Sequence, residues 1–199
     1  MNYLGHAFLS MGDEELLTGN MIGDYVKGKI ALDDYPPGIK RGLILHRRID
    51  SFTDSHAAVA RAKNYFREKY ELYAGAVVDI VFDHFLANDP KHFISEKALW
   101  DFTQQTYATL EKNSTYFPEK YSMIFPYMKS HNWLYGYRTL KGIQKSLDGL
   151  QRRAKYMPDA ENAYKTLVGH YYLLSQCYYD FIDDASRFVK VTLTEGDNF

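Results

Sequence analysis

Apolar residues recur at spacings of three and four along almost the whole of this 199-residue chain, while strict alternation over a strand length is hard to find. Spacing of that kind lays a stripe of side chains along one face of an α-helix, whereas a half-buried strand needs a period of two. The chain is therefore expected to be all-α, a single helical domain over residues 1–199 with a frayed tail from Thr192 to Phe199. Start and stop signals place a helix at Tyr3 to Ser10, a second from about Asp13 toward Gly28, and a third from Pro37 through His46 and Asp50. Thr53, Asp54 or Ser55 then caps a helix holding Val59, Ala62 and Phe66. Further helices are expected at Tyr73 to Ala87, Glu96 to Glu111, Pro118 to Lys129, Trp133 to Lys155 and Asp159 to about Val191. The sequence shows no internal repeat, low-complexity tract or Gly/Ser linker.

A hydrophobic share of 46% leaves room for a substantial core, and a formal net charge of -1 makes no global case for nucleic acid or an anionic membrane as partner. Cys177 is the only cysteine, so no internal disulfide can form, and no apolar run approaches the roughly 20 residues that span a bilayer. The start MNYLGHAFLS lacks the basic region and long apolar stretch of a secretory signal, which makes the cytoplasm the expected setting.

Acids and histidines at helical spacing carry the chemistry. His46 and Asp50 in LHRRIDSFTD are four residues apart, as are Asp79 and Asp83 in VVDIVFDHFL, so each pair projects from one helix face. Asp83 and His84 lie among Val77, Val78, Ile80, Val81, Phe82, Phe85 and Leu86, where a carboxylate is costly to bury unless paired, hydrogen-bonded or bound to a cation. Imidazole and carboxylate together suit Mn, Fe or Zn, and a mostly carboxylate site also accepts Mg. The competing reading is a buried network in which Arg47 or Arg48 joins the acids, with Asp54 as a helix cap. For Asn20 and Asp24 in GNMIGDYVKG, the choice lies between ligation and bonding to the end of a neighbouring helix. His6, in an apolar first helix, is equally a ligand or a satisfied core histidine. In HNWLYGYR, Trp133 and Tyr137 suit core or pocket wall, and Arg138 either a phosphate or a nearby ring. No serine nucleophile elbow, P-loop or dinucleotide fingerprint is present, which leaves metal-assisted hydrolysis as the best enzymatic class.

Taken in order, NYLGHAFLS, GNMIGDYVKG, HRRIDSFTD, VVDIVFDHFL and, more weakly, WLYGYR resemble the bacterial acyl carrier protein phosphodiesterases over nearly the whole chain. The resemblance implies an all-helical fold of HD-type phosphohydrolase kind and a divalent cation such as manganese, with magnesium or iron as alternatives. It also implies hydrolysis of 4'-phosphopantetheine from holo acyl carrier protein. The metal centre it implies draws on Asp24, His46, Asp50, Asp83 and His84, with His6, Asp79 and Arg47 beside it. In this reading Asp24, Asp83 and His84 also serve catalysis, His84 as ligand or as proton donor to the leaving serine oxygen, and Arg47 neutralises phosphate charge. The doublet reads Asp83 then His84, a departure from the usual HD order. An acidic carrier implies a basic approach surface, for which Lys27, Lys29, Lys40, Arg41, Arg47 and Arg48 are candidates; Trp133 and Tyr137 are candidates for the pantetheine wall, and Arg138 for a further substrate contact. Two other hypotheses remain open: a small nucleotide or other phosphodiester as substrate, and a helical binding module whose acids only form ion pairs.

Overall fold

Local capping and one close helix crossing set most of the architecture seen in the computed structural model, which describes residues 1–28 and 32–194. The short α1 (Tyr3–Phe8) is followed by Asp13, whose side chain accepts from the N–H groups of Glu15 and Leu16 and starts α2 (Glu14–Ile22). A 3-10 turn, Gly23–Tyr25, continues α2, and Pro37 opens α3 (Pro37–Ser55), as its fixed φ favours.

α2 and α3 approach backbone to backbone. A Cβ on Gly19 would lie 2.1 Å from the Ile39 carbonyl oxygen, and one on Gly42 would lie 2.4 Å from that of Leu16. Glycine at both positions thus permits a separation that side chains would prevent, and it brings the end of α2 against the middle of α3.

The next helices are α4 (Ala57–Tyr70) and α5 (Ala74–Ala87). α5 is buried on nearly every face, as its run of Val, Ile, Phe and Leu requires. Then follow α6 (Glu96–Lys112), α7 (Glu119–Ser130), α8 (Trp133–Gly136), α9 (Leu140–Arg153), α10 (Ala160–Gly169) and α11 (Tyr171–Thr194). Among the described residues there is no strand, and no helix is long and apolar enough to cross a membrane.

Several boundaries differ from the sequence expectation. α1 ends at Phe8, and α3 runs on to Ser55, so Asp54 caps nothing; His56 is the cap, accepting from the Ala58 N–H through Nδ1 at 3.2 Å. The helix expected over Trp133 to Lys155 divides because the Thr139 hydroxyl accepts from the Gly142 N–H and starts a new helix there. The one expected from Asp159 divides at Gly169 and His170. α11 includes Thr192 to Thr194, and the rest of the expected tail lies outside the described residues.

Candidate metal centre

His6 on α1 and His46 on α3 are both buried, and they stack with ring centroids 4.1 Å apart and planes 19° from parallel. Asn20 on α2 orients both rings. Its amide nitrogen donates to the His6 carbonyl at 2.8 Å and to Ser10 Oγ at 3.0 Å, which leaves Oδ1 to accept from His6 Nδ1 at 2.8 Å. The Asn20 backbone carbonyl accepts from His46 Nδ1, also at 2.8 Å, a bond made possible by the α2–α3 crossing. Gly23 completes the cradle, since a Cβ there would come within 2.2 Å of the His46 ring.

With both Nδ1 atoms donating, a neutral ring at either position carries its lone pair on Nε2. Both Nε2 atoms face Asp50: His6 at 3.3 Å from Oδ1 and His46 at 3.1 Å from Oδ2. Asp24 Oδ1 lies 3.3 Å from His46 Nε2. The histidine side chains are 5% exposed, Asp50 41% and Asp24 70%, so the cluster is closed behind by imidazoles and open in front through carboxylates.

The electrostatics are those of acceptors converging on one point. Desolvation lowers the pKa of His46, but hydrogen bonds and charge from Asp24 and Asp50 outweigh it and raise the imidazole to about 9. Burial, then the neighbouring His46 charge, lowers that of His6. Burial opposes ionisation of Asp50, yet its hydrogen bond from His46 and then its contact with His6 hold its carboxyl well below the usual range. A single proton on His46 leaves the His6 lone pair against a carboxylate oxygen, a contact that calls for a cation between them. The donor set fits one: ligand atoms of His6, His46 and Asp50 all lie within 4.8 Å of each other, and their nitrogen and oxygen mix suits Mn, Fe or Zn.

The remaining sequence candidates are placed elsewhere. Asp83, fully buried on α5, accepts from the Leu4 N–H at 2.8 Å and the Gly5 N–H at 3.0 Å, so both oxygens serve the start of α1 instead of the cluster. Burial pushes its carboxyl up to about 7, against the amino terminus and those two donors, which lower it. Asp79 accepts from the Met1 amino group at 3.0 Å. His84, turned about 100° from Asp83 by the helix, donates through Nδ1 to the Tyr137 carbonyl at 2.7 Å and accepts from the Tyr171 hydroxyl at 2.8 Å. It joins α5 to the α8–α9 connection and α11.

Arg47 Nη2 donates to the carbonyls of Val26 at 3.2 Å and Gly28 at 3.0 Å. It therefore secures the segment after Asp24, and among the described residues no ion pair joins Arg47 to the acids. Arg48 is half-buried, Lys27 is exposed, Lys40 pairs with Asp33, and Lys29 lies outside the described residues. Arg138 is held by Glu96 and packs over the Tyr135 ring, 5.0 Å from its centroid, whereas Trp133 and Tyr137 do line a cavity. Asn20 takes the second of its two sequence readings, bonding the end of α1 at the His6 carbonyl and Ser10, and in addition anchors both stacked rings.

In front of the cluster lies a groove of about 440 Å³ bordered by Asp24, Asp50, Asp54, Glu71 and Asp79, with Lys63 and Arg67 across from them. Fold and site together define an all-helical protein with a histidine–carboxylate candidate metal centre opening onto an acidic groove. The chain belongs to the acyl carrier protein phosphodiesterase family, whose pattern it matches over residues 1–185. It is 29% identical to the acyl carrier protein phosphodiesterase of Yersinia pestis over 187 residues, covering 94% of this chain and 96% of that one. Proteins of the same name from Salmonella paratyphi A and Salmonella agona are each 29% identical over 181 residues, covering 91% of this chain and 93% of theirs. No solved structure matches the chain.

Proposed function

We propose that this chain is a metal-dependent phosphodiesterase that cleaves the phosphodiester between 4'-phosphopantetheine and a serine of holo acyl carrier protein, leaving the apo protein. The observation that carries the metal half is the pair of Nε2 atoms facing one partly exposed carboxylate. The family and the names of its relatives support the substrate. His6, His46 and Asp50 would hold a divalent cation, manganese first, with Asp24 at its edge. The cation would supply Lewis acidity toward a phosphoryl oxygen and a lowered pKa for water.

The chain's own residues prepare that chemistry. The Nδ1–H bonds to Asn20 fix both rings with Nε2 forward, the arrangement by which outer partners orient imidazole ligands. Asp24, exposed and kept ionised first by its hydrogen bond to His46, is placed to accept a hydrogen bond from an attacking water. Kinship with the HD-type phosphohydrolases belongs to this proposal and is in keeping with histidine and aspartate one turn apart on α3.

Cation uptake must displace the His46 proton. Because that imidazole has a folded pKa of about 9, the metal-free protein carries the proton at pH 7 and loses it on binding. Manganese titration calorimetry in two buffers of different ionisation enthalpy will show about one proton released per ion at pH 7. Apparent affinity will rise by about tenfold per pH unit between 7 and 9 and then level off. Binding without proton release, or no heat of binding at any pH, would refute the assigned ligand set.

A further inference from the structure

A cavity of about 660 Å³ lies between the start of α1, α7 and one face of α9. Its volume lies in the range of about 300–1,000 Å³ usual for small-molecule sites. One wall is aromatic and aliphatic: Tyr3, Ile124, Tyr127 and Trp133. The opposite wall is an α9 stripe in which Ser146 and Gly149 leave the groove wide, Gly142 packs against the Gly136 backbone, and Lys145, Arg152 and Arg153 extend beside them. A Cβ on Gly149 would meet only the Arg152 guanidinium, at 3.7 Å. Lys141, Lys145, Arg152 and Arg153 face one acid, Asp148, and none of the four has an ion-pair partner among the described residues.

Tyr3, in the wall of this cavity, links it to the elements that carry the candidate metal centre. The Tyr3 hydroxyl is 2.6 Å from that of Tyr25, which directly follows Asp24, and His6 lies one turn beyond Tyr3 on α1. Burial raises the pKa of both hydroxyls, and Arg153 is the nearby cation whose field opposes that rise. The cavity thus sets an aromatic and aliphatic wall against an unpaired guanidinium, Arg153, close to the Tyr3–Tyr25 pair. The acidic groove differs in composition: five acids face only Lys63, paired with Asp54, and Arg67.

We propose that the cavity against α9 seats the pantetheine arm of the substrate, with the arm's apolar and amide portion between Trp133, Tyr127 and Gly149 and its phosphate end beside Arg153. The assignment rests on the phosphodiesterase reading above. It follows from charge and shape: a diester anion attached to a long, uncharged, partly apolar chain matches a cavity that pairs unpartnered cations on α9 with an aromatic and aliphatic wall.

Gly149→Leu tests the channel without threatening the fold, since it replaces a helical glycine with a better helix former whose side chain enters open space. Binding of free 4'-phosphopantetheine by calorimetry, which needs no turnover, is expected to weaken at least tenfold in this variant while manganese uptake stays at the wild-type value. Arg153→Gln is expected to weaken 4'-phosphopantetheine at least tenfold and pantetheine less than twofold. Failure of the wild-type protein to bind 4'-phosphopantetheine, or undiminished binding by Gly149→Leu, would overturn the assignment. Equal loss of both ligands in Arg153→Gln would overturn the placement of the phosphate. If Gly149→Leu weakened apo and holo carrier protein equally, the groove would seat the carrier itself and the proposal would fail. Intact 4'-phosphopantetheine binding without any turnover of holo carrier would count against the phosphodiesterase reading alone.

Discussion

Asp50→Ala is expected to lower metal-dependent turnover of holo acyl carrier protein by at least about 100-fold, the upper range for removing even a supporting partner of a bound metal. Asp50 is the carboxylate that both imidazoles face, at 3.3 and 3.1 Å, and among the described residues no other acid forms such a group with both. Its side chain is 41% exposed, so the folded state should survive the change. The rise in Tm that manganese gives the wild-type protein by binding only the folded state should be absent from the variant. Turnover within a factor of two of wild type would remove Asp50 from the mechanism.

Asp83→Ala is expected to behave in the opposite way. Asp83 sits at the centre of VVDIVFDHFL, the most conspicuous acid in the sequence, yet in the structure it anchors α1. Removing it strips two buried N–H groups, those of Leu4 and Gly5, of their acceptor and deprives the buried amino terminus of a nearby negative charge. Each unsatisfied buried group costs about 1–3 kcal/mol, so a loss of about 3 kcal/mol is a fair figure. For a chain of this size that is a drop in Tm of about 6–12 °C. Asp83→Asn keeps one acceptor oxygen and should lose about half as much. In both variants manganese should still raise Tm. A variant with wild-type Tm and no manganese response would show instead that Asp83 ligates the metal.

The contrast between these acids marks where the sequence stopped being informative. Helical periodicity and caps such as Asp13, Pro37 and Ser95 are local, and the corresponding helices formed close to where they were expected. The breaks at Gly136 and Gly169 were missed because apolar spacing continues across them, and only the Thr139 cap reveals the first. His46 and Asp50 were legible as a pair because four residues on one helix fix their common face.

Which neighbouring helix each face meets is a tertiary fact, and spacing does not contain it. Asp83 and His84, adjacent in sequence, point to α1 and to the α8–α9 connection because a helix turns about 100° per residue. His6 gave no sign of its partner at Asp50, which it meets only because the α2–α3 crossing lets Asn20 bond both stacked rings. The cations of α9 belong to no site motif and acquire meaning only from the cavity they border.

The measurement that bears most directly on this account is mass-resolved turnover of holo acyl carrier protein by the purified chain with manganese, with magnesium and with chelator. The account predicts loss of the 4'-phosphopantetheine mass from the carrier with a divalent cation present and no loss with chelator. An unchanged carrier mass under every condition, with folded protein and a competent substrate, would contradict it.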